Sequence, residues 1–212
     1  MFSEMMRMRA ACTRRPDAAM AEAQFQQLVR SAIALGQQED CPALLGLLDP
    51  ALPRLAQGQR TIIHLLRISC LGAVGRGPEI PALYEEMIAA EPDNGAVRSV
   101  GVLVAFEAGD LAESARRLTD LAERHPGALP AINSPVARGI AQDLTQRREY
   151  ALRDRMFIAL ARADWQPQDR PDIRDSVAQG AIEALLAKKE VEEAGALLGR
   201  VTMPELLVQM AM

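Results

Sequence analysis

The chain has 212 residues, of which 49% are hydrophobic but only 3% aromatic, and its formal net charge at pH 7 is −4. That length can bury a sizeable core. The excess of Ala and Leu over β-branched and aromatic residues favours packed helices over a β-sandwich, and the mild acidity argues against a dedicated nucleic-acid binder, which would carry a basic stripe.

The N-terminus is basic through Arg7, Arg9, Arg14 and Arg15, and no apolar h-region follows it. Residues 1–16 are therefore expected to be a flexible basic leader rather than a secretory signal, with an organelle-type presequence as the alternative. Residues 17–212 are expected to form one domain. Its first helix runs from Asp17 to Leu35, with Phe25, Leu28, Val29 and Ile33 on one stripe, and stops at Gly36. Cys41–Leu48 is a short second helix, closed by Asp49-Pro50 and Leu52-Pro53 because the residue before a proline is pushed out of the α region.

From Gln59 to Val74 the positions Ile62, Leu65, Leu66, Ile68 and Leu71 recur at helical spacing. Gly75-Arg76-Gly77-Pro78 then forces a turn, and a return helix runs from Glu79 to Ala90. A second hairpin follows, with helices Gly95–Ala108 and Leu111–His125 about a Gly109-Asp110 turn. Ser134–Thr145 and Glu149–Asp164 make a third, longer pair, and Asp172–Lys188 with Glu190–Leu198 a last one. The polar, proline-bearing stretch 165–171 between these pairs is the expected hinge. The tail, Met203–Met212, reads as an apolar helix begun by Pro204; it would cap the last hairpin or present a face for a partner or a second copy.

Gly75 and Pro92 recur as Gly109 and Pro126, thirty-four residues later. That interval, the Gly109-Asp110 turn, small Ser114 and Ala115 at the helix crossing, apolar Leu118 and Leu121, and the stop at Pro126 resemble the tetratricopeptide repeat. Arg98, Gly101 and Val102 stand where the family places bulky early core residues, so the repeat is a degenerate one. The resemblance implies an all-α, right-handed α–α superhelix of antiparallel hairpins whose concave groove binds a peptide or protein. Ile62, Leu65 and Ser69 in one unit and Ser99, Leu103 and Phe106 in the next would line that groove; in a shifted register the same side chains would be core. The Lys, Asn and Arg that clamp a C-terminal carboxylate in the family's best-known variant are absent from these positions. The stretch from Phe157 through Asp164-Trp165-Gln166-Pro167 to Thr202 is also similar to the closing part of uncharacterised proteobacterial repeat proteins, which implies a bacterial origin and no particular activity.

Catalytic chemistry has little to build on. His64 lies mid-helix and His125 at a helix end, both in structural settings, and no set of His, Cys and acidic residues has zinc-ligand spacing. Nucleophile signatures are missing, and Gly72–Gly77 follows a helix rather than a strand and lacks the Lys-Ser/Thr of a phosphate loop. Adjacent acids such as Glu85-Glu86 point about 100° apart on a helix and so cannot work as a pair. Cys12, Cys41 and Cys70, odd in number and without a CxxC pair, read as inert thiols rather than a disulfide framework. Neither a metal nor a cofactor is expected.

The resulting expectation is a non-catalytic scaffold or adaptor in the cytoplasm, with a protein or peptide partner, no membrane span and no nucleic acid. Two alternatives stay open: a regulatory domain associated with an enzyme subunit, or a nucleic-acid or small-molecule binder using the Arg147–Arg162 helix.

Overall fold

The computed structural model describes residues 20–167, 173–199 and 201. The leader at 1–16, Cys12, part of the 165–171 hinge and the tail at 203–212 lie outside the described residues. Regular structure among the described residues is all-helical, with no strand, and the chain divides into two compact units at Glu79/Ile80.

In the first unit, α1 (Glu22–Gln37), α2 (Cys41–Leu48) and α3 (Gln57–Leu71) pack mutually, with 3₁₀ turns at Asp49–Arg54 and Gly77–Glu79. Helix α2 starts at Asp40, whose Oδ1 accepts a hydrogen bond from the Ala43 backbone N–H at 3.1 Å, satisfying one of the donors left over at a helix N-terminus. Pro50 and Pro53 tighten its far end into the 3₁₀ turn. Phe25, Ala32, Leu44, Leu45, Leu48, Leu55, Ile63, Cys70 and Leu71 form the buried apolar set of this unit among the described residues.

The second unit holds α4 (Ile80–Ala90), α5 (Gly95–Glu107), α6 (Leu111–Arg124), a 3₁₀ turn at Pro126–Ala131, α7 (Ser134–Gln146), α8 (Tyr150–Arg162), α9 (Ile173–Ala187) and α10 (Val191–Leu198). Side chains of Asn94, Asp110 and Asn133 accept backbone N–H bonds at the starts of α5, α6 and α7. Helix α5 packs along α6, α6 along α8, α8 along α9 and α9 along α10. Ser114 and Ala115 are fully buried at the α5/α6 crossing, where the Ser114 hydroxyl donates to the Val102 carbonyl at 2.9 Å.

Close approach is also obtained by seating aromatic rings over glycines. A Cβ on Gly101 of α5 would lie 2.6 Å from the Tyr84 Oη of α4, and one on Gly180 of α9 would lie 2.6 Å from Cδ2 of Phe157 on α8. Phe106 of α5 covers Gly139 of α7 in the same way. With so few aromatics, the chain gets large contact areas from each ring by giving it a flat backbone to lie on.

Helices α1, α3, α5, α7, α8 and α9 share one C-terminal device. A residue with φ between 52° and 76° follows each, at Glu39, Gly75, Gly109, Arg148, Asp164 and Lys189. The next backbone N–H returns to a carbonyl of the last turn: Asp40 to Leu35, Arg76 to Leu71, Asp110 to Ala105, Glu149 to Leu144, Trp165 to Leu160 and Glu190 to Leu185. This is the Schellman arrangement, which normally selects glycine. Only two of the six sites carry one. The turns are unevenly spaced, and the thirty-four-residue interval joins just Gly75 and Gly109.

Candidate functional site

A connected group of titratable side chains lies in the first unit and is built on Arg67. Placed one turn from Ile63 and His64 on the inward face of α3, Arg67 has a side chain only 5% exposed. A buried guanidinium is tolerable only with partners for its charge and its fork of donors. Its Nε donates to Asp49 Oδ1 at 2.8 Å, its Nη1 lies 3.2 Å from His64 Nδ1, and its Nη2 lies 3.7 Å from Glu79 Oε2. Since arginine can only donate, His64 accepts through Nδ1. Arg76 completes the group, donating to Asp49 Oδ2 at 2.6 Å and forking onto Glu79 at 2.6 and 2.9 Å.

Burial pulls the Asp49 carboxyl upward, but the hydrogen bond from Arg76 and the charge of Arg67 outweigh it and hold the group below the usual carboxylate range. The fork from Arg76 lowers Glu79 likewise. Two cations face two anions, and both anions stay ionised well below neutral pH. Such carboxylates are poor proton carriers at neutral pH, so the group fastens the 3₁₀ turn after α2 to α3 and to the turn beyond it.

Cys41 and Cys70 correct the expectation of three inert thiols: they form a disulfide joining the first residue of α2 to the end of α3. An odd number of cysteines without a CxxC pair carries no sign in the sequence of which two meet. The Asp49–Arg67–Arg76–Glu79 group was missed as well, although Arg67 on the inward face of an apolar helix was its visible sign.

A second charged region lies in the second unit. Glu123, Arg155, Ile158, Ala159, Arg162, Lys188 and Glu190 line a cleft of about 260 Å³. Arg162 forks onto Glu193 at 2.6 and 2.8 Å, and Arg155 reaches Glu123 at 3.2 Å. Arg147 pairs with Asp143, while Arg153 pairs with Asp154 and lies over the Tyr150 ring. Most of the charge on the arginine-rich stretch from Arg147 to Arg162 is thus answered within the chain.

The six groove candidates fall on two helices. Ile62, Leu65 and Ser69 lie on α3, with Ile62 44% exposed, Leu65 half-buried and Ser69 exposed. Ser99, Leu103 and Phe106 lie on α5, where Ser99 is buried with its hydroxyl on the Ala96 carbonyl. Leu103 and Phe106 pack half-buried against the core of the second unit. Within α3 the residues Ile62, Leu65, Leu66 and Ser69 follow one another at helical spacing along a wholly or partly exposed stripe.

Among the described residues no group of three or more His, Cys, Asp or Glu could hold a metal ion, and no helix is long and apolar enough to cross a membrane. No family model matches the chain, and neither a curated protein nor a solved structure matches it.

Proposed function

We propose that the chain is a non-catalytic protein–protein interaction scaffold that receives a peptide or protein on exposed faces of its helices, inside a bacterial cell. The observation that carries this reading is the α3 stripe of Ile62, Leu65, Leu66 and Ser69, which leaves aliphatic side chains wholly or partly in water. Covering them with a partner would return part of the burial free energy, roughly 25 cal/mol per Å² of apolar surface. Side chains at these intervals form a continuous strip that an extended or helical peptide can follow. The ionised clusters add to the reading, since their carboxylates are engaged by arginines rather than poised to exchange protons.

The arginine-rich stretch, which spans the end of α7, its turn and α8, favours nucleic acid less, because Arg147, Arg153, Arg155 and Arg162 already face acidic partners that a phosphate would have to displace. A photo-crosslinking residue at Ile62 or Ser69 of the full chain, expressed in its native cells, tests the scaffold reading. Discrete protein adducts from both positions and none from exposed Gln37 on α1 support it. A folded chain that gives no adduct from either position removes it.

A further inference from the structure

We propose that the Cys41–Cys70 bridge is a reversible redox latch on α2: a dithiol reductant opens it and loosens residues 41–55 against α3, and reoxidation tightens them again. Three observations carry the inference.

The first is that α2 has little support of its own. It is eight residues long, shorter than the ~12–15 residues at which an isolated helix becomes even marginal in water. No neighbouring helix prolongs it, because Glu39 takes a left-handed conformation just before it and the Pro50/Pro53 3₁₀ turn follows it. The second is that α2 is fastened at both ends. Its first residue is bridged to Cys70, and Asp49, just past its last residue, pairs with Arg67 and Arg76. Between them Leu44, Leu45 and Leu48 supply the apolar contact. Opening the bridge removes one fastening and leaves the other with the three leucines, so the expected change is a local loosening of this segment and not the loss of the unit.

The third observation is the unequal burial of the two cysteines. Cys70 is 3% exposed, whereas Cys41 is only half-buried at the start of its helix. Thiol–disulfide exchange begins where a thiolate can reach a sulfur in line with the bond. The reductant's thiolate therefore attacks Cys41 Sγ; the Cys41–Cys70 bond breaks, a mixed disulfide forms on Cys41, and Cys70 leaves as a thiolate that takes up a proton. The second thiol of the reductant then displaces Cys41, so the protein gains two electrons and two protons while the reductant closes to its own disulfide. Reoxidation runs the same exchange backwards with a disulfide oxidant.

The test uses the full chain carrying Cys12→Ser, so that the pair is the only source of thiols. It is compared air-oxidised and after dithiothreitol in native buffer, with amide hydrogen exchange read by mass spectrometry. Exchange over residues 41–55 should quicken at least about tenfold on reduction, remain unchanged over α6, and slow again after treatment with oxidised glutathione. Equal exchange over 41–55 in the two forms would overturn the proposal. So would a bridge that dithiothreitol reduces only in denaturant, or two cysteines that iodoacetamide labels without prior reduction. The double variant Cys41→Ser, Cys70→Ser should reproduce the reduced pattern without any reagent. If it loses its helical circular dichroism instead, the bridge is a global staple and the latch is refuted.

Discussion

The left-handed turn residues offer a direct way to raise stability. Lys189 and Arg148 close the α9–α10 and α7–α8 turns with φ of 65° and 62°, both exposed, whereas Gly109 closes the α5–α6 turn with φ of 75°. A side chain in this region brings Cβ against the following carbonyl at a cost of ~1–2 kcal/mol. Glycine avoids that cost but loses more backbone entropy on folding, ~0.5–1 kcal/mol. Each cation also stands beside a helix C-terminus, where it contributes ~0.3 kcal/mol at the exposed end of the range. The balance for Lys189→Gly or Arg148→Gly is a gain of about 0.5 kcal/mol each. The double variant should gain about 1 kcal/mol and melt ~2–4 °C higher. Gly109→Ala should run the other way by ~1 kcal/mol. Urea and thermal melts followed by circular dichroism measure all three. A lower midpoint for the Lys189→Gly, Arg148→Gly double variant, or a Gly109→Ala variant as stable as wild type, would refute the assignment of these turns.

Gly180→Ala should destabilise by ~1–3 kcal/mol in a denaturant melt, because the new methyl meets the Phe157 ring at 2.6 Å; adding Phe157→Leu should recover part of the loss if that contact is the cause. Gly46 lies inside α2 with nothing within 4 Å of its would-be Cβ, so Gly46→Ala should raise stability by ~0.5–1 kcal/mol in the same measurement. Glu113 is held below the ordinary glutamate range by hydrogen bonds from Arg117 and then Arg116. A carboxyl with a depressed native pKa contributes stability above its unfolded value of about 4.3 and loses it as pH falls through the native value. Glu113→Gln should therefore be less stable than wild type at pH 7, and the difference should shrink below about pH 4 when urea melts are compared across that range.

Legibility in the sequence followed the range of the interactions involved. Helix existence and type were visible because periodic apolar positions, proline stops and cap residues such as Asp110 act within a few residues of where they are written. Inward placement of Leu118 and Leu121 followed for the same reason, since both lie on the apolar stripe of α6 and both are fully buried. The helix-ending turns were less legible. Glu39, Arg148 and Lys189 make the same turn as Gly75 and Gly109, but backbone hydrogen bonds hold these residues left-handed against their own preference, so no letter marks the site.

Spacing alone could not separate surface from interior on the groove helices. Helical spacing leaves Ile62 and Ser99 equally open to groove or core, and one is 44% exposed while the other is 4% exposed, because burial depends on which neighbour covers a helix. Pairing at a distance was the least legible. Arg67 meets Asp49, and Cys41 meets Cys70, only after α2 folds back across α3. The chain by itself settled where helices begin, what they hide and where they stop, because those choices are made by adjacent residues. Tertiary structure decided which cysteines meet, which charges neutralise one another and which apolar side chains stay in water, because each depends on residues brought together from distant parts of the chain.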